Sequence, residues 1–215
     1  MSNWFRWRRQ GEHEDAPLDS IRYVVLDTEL TSLDKRSNRL LSVGAVAMDG
    51  SKILLGEQFY REVNPGVAPP APGVVIHGLR PNDVERCEPP AQILEELKTF
   101  LHGGVLVGHF FDIDRSILRK EFTGNALSLT PDAIDTAKVE QWILRRSPYS
   151  AEEQARRLEH LDLESLAVAY GLPFQEAHHA LEDAFLTARL WQRQIHALRE
   201  RGVHTLGEAL RAGGI

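Results

Sequence analysis

Two short, wholly apolar runs in this chain each end against acids, and that combination constrains the fold more than any other feature of the sequence. Tyr23-Val24-Val25-Leu26 runs into Asp27 and Glu29, and Val105-Leu106-Val107-Gly108 is followed by Asp112 and Asp114. An uninterrupted apolar run of this length, bounded by polar residues, reads as a buried strand. Residues 40–48 and 53–63 read as two more strands, with Asp49-Gly50 as the turn between them. Residues 64–82 carry Pro65, Pro69, Pro70, Pro72 and Pro81 and read as loop.

Helical spacing then takes over. Ile93, Leu94, Leu97, Phe100 and Leu101 share one face of a helix that Gly103-Gly104 stops. Residues 113–122 are expected to be helical, and a short strand at 133–135 leads into a helix through Trp142. Residues 163–170 form another, closed by Gly171 and Pro173. From Ala180, the set Leu181, Ala184, Phe185, Ala188, Trp191, Ile195 and Leu198 predicts a long amphipathic helix. Three successive strands, then strands alternating with helices, predict one mixed-sheet α/β domain. The expected division is a tail at 1–20, the domain at 21–200 and a C-terminal helical extension at 201–215.

A chain of 215 residues with 42% apolar and 26% charged residues can bury its own core and is not expected to be disordered. Its single cysteine, Cys87, excludes an internal disulfide framework. No apolar run approaches the roughly 18 residues of a membrane span, and residues 1–10 lack the apolar core of a signal peptide, so no membrane insertion and a cytoplasmic location are expected. The net charge of −6 argues against a protein that coats nucleic acid by bulk electrostatics. Contact with a phosphate chain would need a local site where metal ions offset the acids.

Four carboxylates supply such a site. Asp27 and Glu29 lie two apart at the end of the first strand and therefore share a face. Asp114 follows the strand at 105–108, and Asp183 falls among the apolar positions of the last long helix. Taken singly, each has an ordinary reading: a strand-end turn for Asp27, a solvated Glu29, a helix cap at Asp112 or Asp114, a surface pair of Asp183 with Arg189 or Lys138. Taken together, acids in such settings need partners, and no Lys or Arg follows Asp27 and Glu29 until Lys35. Hard divalent cations, Mg²⁺ or Mn²⁺, prefer oxygen donors of this kind. No cysteine pair or ligand spacing accompanies His77, His102 or His109, so zinc is not expected.

The order of these acids resembles the DEDDh 3′→5′ exonucleases, the family of the proofreading epsilon subunit of bacterial DNA polymerase III. Asp27-Thr28-Glu29-Leu30-Thr31-Ser32-Leu33 is similar to the first family motif. His109-Phe110-Phe111-Asp112-Ile113-Asp114 is similar to the second, and His178-His179-Ala180-Leu181-Glu182-Asp183 to the third. Ile76-His77-Gly78-Leu79 and Ile134-Asp135-Thr136 resemble family landmarks between them. Leu30, Ser32 and Phe110 depart from common family residues, Ser42 stands where some members carry a further acid, and none of these departures removes a metal ligand. The resemblance implies an RNase H-like fold and two bound Mg²⁺ or Mn²⁺ ions, with Asp27, Glu29, Asp114 and Asp183 as ligands and His178 as general base. It places Leu30, Thr31, Leu33, His109 and Phe110 around the terminal nucleotide, although His109 also reads as structural.

Residues five apart on a helix point about 140° away from each other. His178 and Asp183 can therefore serve one site only if the helix begins near His179. The activity implied is release of nucleoside monophosphates from the 3′ ends of single-stranded or frayed DNA, in proofreading or repair. The alternatives are a 3′→5′ exoribonuclease and a non-catalytic nucleic-acid-binding accessory module of a polymerase. A polymerase or other protein partner is expected. The tail segment with Trp4, Phe5, Arg6, Trp7, Arg8 and Arg9 has four readings: stacking on bases, docking on a partner, contact with an anionic membrane, or a mobile tail with no role.

Overall fold

The structure is a computed structural model that describes residues 14–32, 37–67, 84–129, 131–174 and 179–215. The aromatic and basic residues 4–9, Leu33, the segment 76–79 and His178 lie outside the described residues.

Five strands build one sheet: β1 (Arg22–Leu30), β2 (Leu40–Asp49), β3 (Lys52–Glu62), β4 (Val105–Gly108) and β5 (Ala133–Asp135). Their order is β3-β2-β1-β4-β5. β1, β2 and β3 form an antiparallel meander, β4 runs parallel to β1, and β5 parallel to β4. Gly50 turns β2 into β3 with φ of +55°, the left-handed conformation that a side chain disfavours. The described helices are α1 (Pro90–Leu101), α2 (Asp112–Gly124), α3 (Thr136–Leu144), α4 (Ala151–Leu158), α5 (Leu163–Ala169), α6 (Ala180–Arg199) and α7 (Leu206–Gly213).

Strand alternation sorts the core into two layers. Tyr23, Val25, Val46, Met48, Val105 and Val107 face α3, α6 and α7, which supply Val139, Ile143, Trp191, Ile195, Leu206 and Ala209. Val24, Leu26, Val43, Ala45 and Leu106 face the opposite way, onto α1 and α2 through Ile93, Leu94, Leu97, Leu118 and Phe122. Both layers are needed because β1 and β4 are apolar on both faces, as their unbroken apolar runs predict.

The described segments 14–20 and 201–215 both pack on this body. Leu18 is fully buried, its N–H donates to the His204 carbonyl (3.0 Å), and the Leu206 N–H donates to the Ala16 carbonyl (2.9 Å). Residues on both sides of the boundaries expected at 20 and 200 thus share hydrogen bonds and core contacts among the described residues. The segment from Glu14 to Ser20 is too short to show a period, and its single deep anchor is Leu18. The sequence reading also missed α4. That helix buries none of its side chains, so it has no apolar stripe, and it is held by the Ser150 cap and by Glu153 paired with Arg156 and Arg157.

Candidate active site

β1 carries its side chains in two rows. The row that begins with Tyr23 and Val25 continues to Asp27 and Glu29, so both acids point toward the layer that contains α6. Asp27 pairs in register with Gly44 of β2, and Gly44 with Tyr60 of β3. A Cβ on Gly44 would stand 2.2 Å from the Leu181 nitrogen and 2.3 Å from the Ala180 carbonyl carbon. The absent side chain lets the first turn of α6 rest on the strand backbone, which brings in Asp183. Asp27, Glu29 and Asp183 each present an oxygen such that all three lie within 4.8 Å of one another.

Asp114 arrives from the other layer. It sits in the first turn of α2, is buried, and stands outside that set of three. Neither it nor Asp112 is the cap, which is Phe111. Its Oδ1 accepts the Thr28 N–H (3.1 Å) and the Thr28 hydroxyl (2.5 Å). Thr28 lies between the two acids of β1 and points to the opposite face, so its hydroxyl meets α2 where Asp27 and Glu29 meet α6. The sequence reading did not use Thr28 or Gly44 in this way. The signal for Thr28 was its odd place in the alternation; Gly44 had none short of the packing itself.

The cations considered for Asp183 are engaged elsewhere. Arg189 donates to the Pro173 carbonyl (2.6 Å), and Lys138 pairs with Asp112 (3.2 Å). Among the described residues no Lys or Arg pairs with Asp27 or Glu29. Burial, followed by Asp114, Asp183 and Glu29, holds the Asp27 carboxyl well above the usual carboxylate range. Burial and then the charges of Asp183 and Asp114 push Glu29 to about 7. Burial lifts Asp114 to about 6 against the hydrogen bonds from Thr28 that favour its charged form.

The residues expected around a terminal nucleotide divide. Thr31 is buried, its N–H donates to the Arg39 carbonyl (3.0 Å), and its Oγ1 accepts the Arg39 N–H (2.9 Å), so it closes the link from β1 to β2. Leu30 packs partly on the α1–α2 core. His109 bonds through Nδ1 to the Thr136 hydroxyl (2.8 Å), and burial lowers its pKa to about 4, which keeps it neutral. Phe110 is 48% exposed, with φ of +47°. α6 begins at Ala180 with His179 as its cap, where the shared site requires it to begin. The His179 ring stacks on Tyr60, with centroids 4.5 Å apart.

A mixed five-strand sheet clad by helices, with carboxylates gathered at one strand end, defines an RNase H-like nuclease architecture. Residues 24–191 match the RNase T family model, whose members are described as exonucleases, and the chain belongs to that family. It is 28% identical over 197 residues to a DNA polymerase III subunit epsilon-like protein of Rhodobacter capsulatus, covering 91% of this chain and 27% of the relative. It is 27% identical over 199 residues to the PolC-type DNA polymerase III of Thermotoga maritima, covering 91% of this chain and 13% of that one. The chain thus spans about a quarter or less of these relatives. Its fold is similar to that of E. coli exonuclease I in complex with a dT13 oligonucleotide (TM-score 0.70, 17% identity, 85% of this chain, 42% of the other). It is similar also to exonuclease X in complex with 5′ overhanging duplex DNA (TM-score 0.64, 19% identity, 89% and 99%). Among the described residues no helix is long and apolar enough to cross a membrane.

Proposed function

We propose that this chain is a divalent-metal-dependent 3′→5′ exonuclease that releases nucleoside monophosphates from single-stranded or frayed DNA ends, in proofreading or repair beside a polymerase. The observation that carries the reading is the convergence of Asp27, Glu29 and Asp183 within 4.8 Å. Three part-buried carboxylates, of which Asp27 and Glu29 pair with no Lys or Arg among the described residues, are a donor set suited to Mg²⁺ or Mn²⁺. Asp27, Glu29, Asp114 and Asp183 would hold two such ions. Bound there, the ions would activate water and offset charge on the leaving 3′ oxygen.

The remaining work falls to the chain itself. Thr28 orients Asp114. His178, five residues before Asp183, takes the proton of the attacking water. His179 faces Tyr60 and is not that base. Leu30, Thr31, Leu33, His109 and Phe110 border the terminal nucleotide, with Phe110 offering an open aromatic face. DNA as substrate is supported by the polymerase relatives and by the DNA-bound exonucleases that share the fold. A 5′-labelled single strand in Mg²⁺ should shorten as a ladder from its 3′ end, stop with EDTA, and slow when the 3′ hydroxyl is phosphorylated. RNA of the same sequence should be cut more slowly. An intact strand, or release of the label as a mononucleotide, contradicts the reading.

A further inference from the structure

The acidic centre draws no strand of nucleic acid to itself without metal, so the phosphates beyond the scissile one need positive charge from elsewhere. Two cations stand in a suitable place. Arg39 Nη1 and Lys120 Nζ both donate to the carbonyl oxygen of Asn38, each at 3.1 Å. They therefore lie within twice that distance of each other, and neither forms an ion pair among the described residues. An Arg side chain has five N–H groups and a Lys three, so a single shared carbonyl leaves most of their donors unused. Two like charges held together, with no carboxylate paired to either among the described residues, form a receptor for an anion, and the planar guanidinium suits a phosphate.

Position names the anion. The Arg39 backbone is bonded to Thr31 on both sides, and Thr31 is two residues of extended chain, about 7 Å, past Glu29. Lys120 lies six residues along α2 from Asp114, about 9 Å of helix. Both paths put the pair one short step from the carboxylates, outside their cluster and on the side where β1 ends. We propose that Arg39 and Lys120 form a subsite for a backbone phosphate of the substrate strand, on the 5′ side of the bond being cut. This subsite rests on the exonuclease reading above and adds to it a grip that reads phosphate and ignores base identity.

The test uses the full chain with Arg39→Gln and Lys120→Gln together. A second double variant, Lys52→Gln with Lys98→Gln, has the same net charge and serves as control. Binding is read by fluorescence anisotropy of a labelled oligothymidine in Ca²⁺ across a salt series. The Arg39/Lys120 variant should bind at least about tenfold more weakly, the equivalent of one charge-assisted hydrogen bond. Its log–log salt slope should fall by about 0.7 for each phosphate that the variant no longer neutralises. On the oligonucleotide its KM should rise, while kcat/KM for the p-nitrophenyl ester of thymidine 5′-monophosphate, which has no further phosphate, stays at the wild-type value. Wild-type affinity and slope in the Arg39/Lys120 variant, or an equal loss in the control, would overturn the subsite. Wild-type protein that cleaves neither substrate would overturn the exonuclease reading, and the anisotropy series would still decide for or against the pair.

Discussion

β1 and α6 meet twice, and the two meetings differ in kind. At the start of the strand, Trp191 packs edge-on against Tyr23, with ring centroids 5.4 Å apart and both side chains fully buried. At its end, Asp183 of the same helix faces Asp27 and Glu29 of the same strand row. The geometry is continuous. Asp183 to Trp191 is about 12 Å of helix, and Asp27 back to Tyr23 is about 13 Å of strand, so α6 lies antiparallel along β1. One end gains from apolar burial. The other gathers carboxylates that repel one another, against which the positive N-terminal end of the helix dipole gives partial relief. A repulsive cluster can persist at one end because the apolar end holds the two elements together, and a divalent cation would convert that repulsion into attraction.

The largest effect should come from removing the centre of the acid end. Asp27→Ala should abolish turnover in Mg²⁺ and leave the fold intact, with a metal-free melting temperature equal to or above wild type; retained turnover would break the contrast between the two ends. Next comes the proposed base. His178→Ala should lose about 10²–10⁴-fold in turnover with little change in oligonucleotide binding. His179→Ala should lose much less, since that ring stacks on Tyr60. Equal losses would mean the base has been misassigned.

Gly44→Ala sharpens the comparison by lifting only one end of α6. The added methyl has no room beside Ala180 and Leu181, so the helix start must shift, at about 1–3 kcal/mol by analogy with other overpacked cores. Activity should fall by more than that loss of stability explains, while Trp191 fluorescence stays native. Unchanged activity would show that the close approach does not position Asp183. Thr28→Val removes one of the two donors to Asp114 and should weaken Mn²⁺ binding about 10–100-fold, as removal of such supporting groups commonly does. Thr28→Ser should restore it, and a Thr28→Val protein with wild-type Mn²⁺ affinity would exclude the role.

The smallest effect concerns pH. Asp27, Glu29 and Asp114 all have folded values above the unfolded ones. The folded state therefore binds more protons, and the contribution of these groups is present in full below the ordinary carboxylate range and is lost as pH rises toward about 6 for Asp114 and about 7 for Glu29. Without metal, the melting temperature should fall across that interval; with saturating Mg²⁺ the fall should shrink. A metal-free melting temperature that rises over the same interval would contradict the shifts.

Much of this comparison was legible in the sequence. The unbroken apolar runs of β1 and β4, the period of α6 and the spacing of the four acids each carry a pattern that burial or chemistry imposes. The start of α6 next to His179 followed from requiring two residues five apart to serve one site. What remained hidden depends on contacts between distant parts of the chain. Leu18 docks against residues near Leu206, the bare backbone of Gly44 admits Ala180 and Leu181, and the Thr28 hydroxyl reaches 86 residues ahead to Asp114. α4 was invisible for the opposite reason, because a helix that packs only Leu158 partly on the core leaves no apolar period.

The most direct test of the central claim, that the acid end of β1 and α6 is a divalent-metal site, is a Mn²⁺ titration of the metal-free chain followed by electron paramagnetic resonance. Wild-type protein should take up two ions per chain, and folded Asp27→Asn protein should lose at least one of them. Failure of the wild type to bind Mn²⁺, or equal uptake by both proteins, would contradict it.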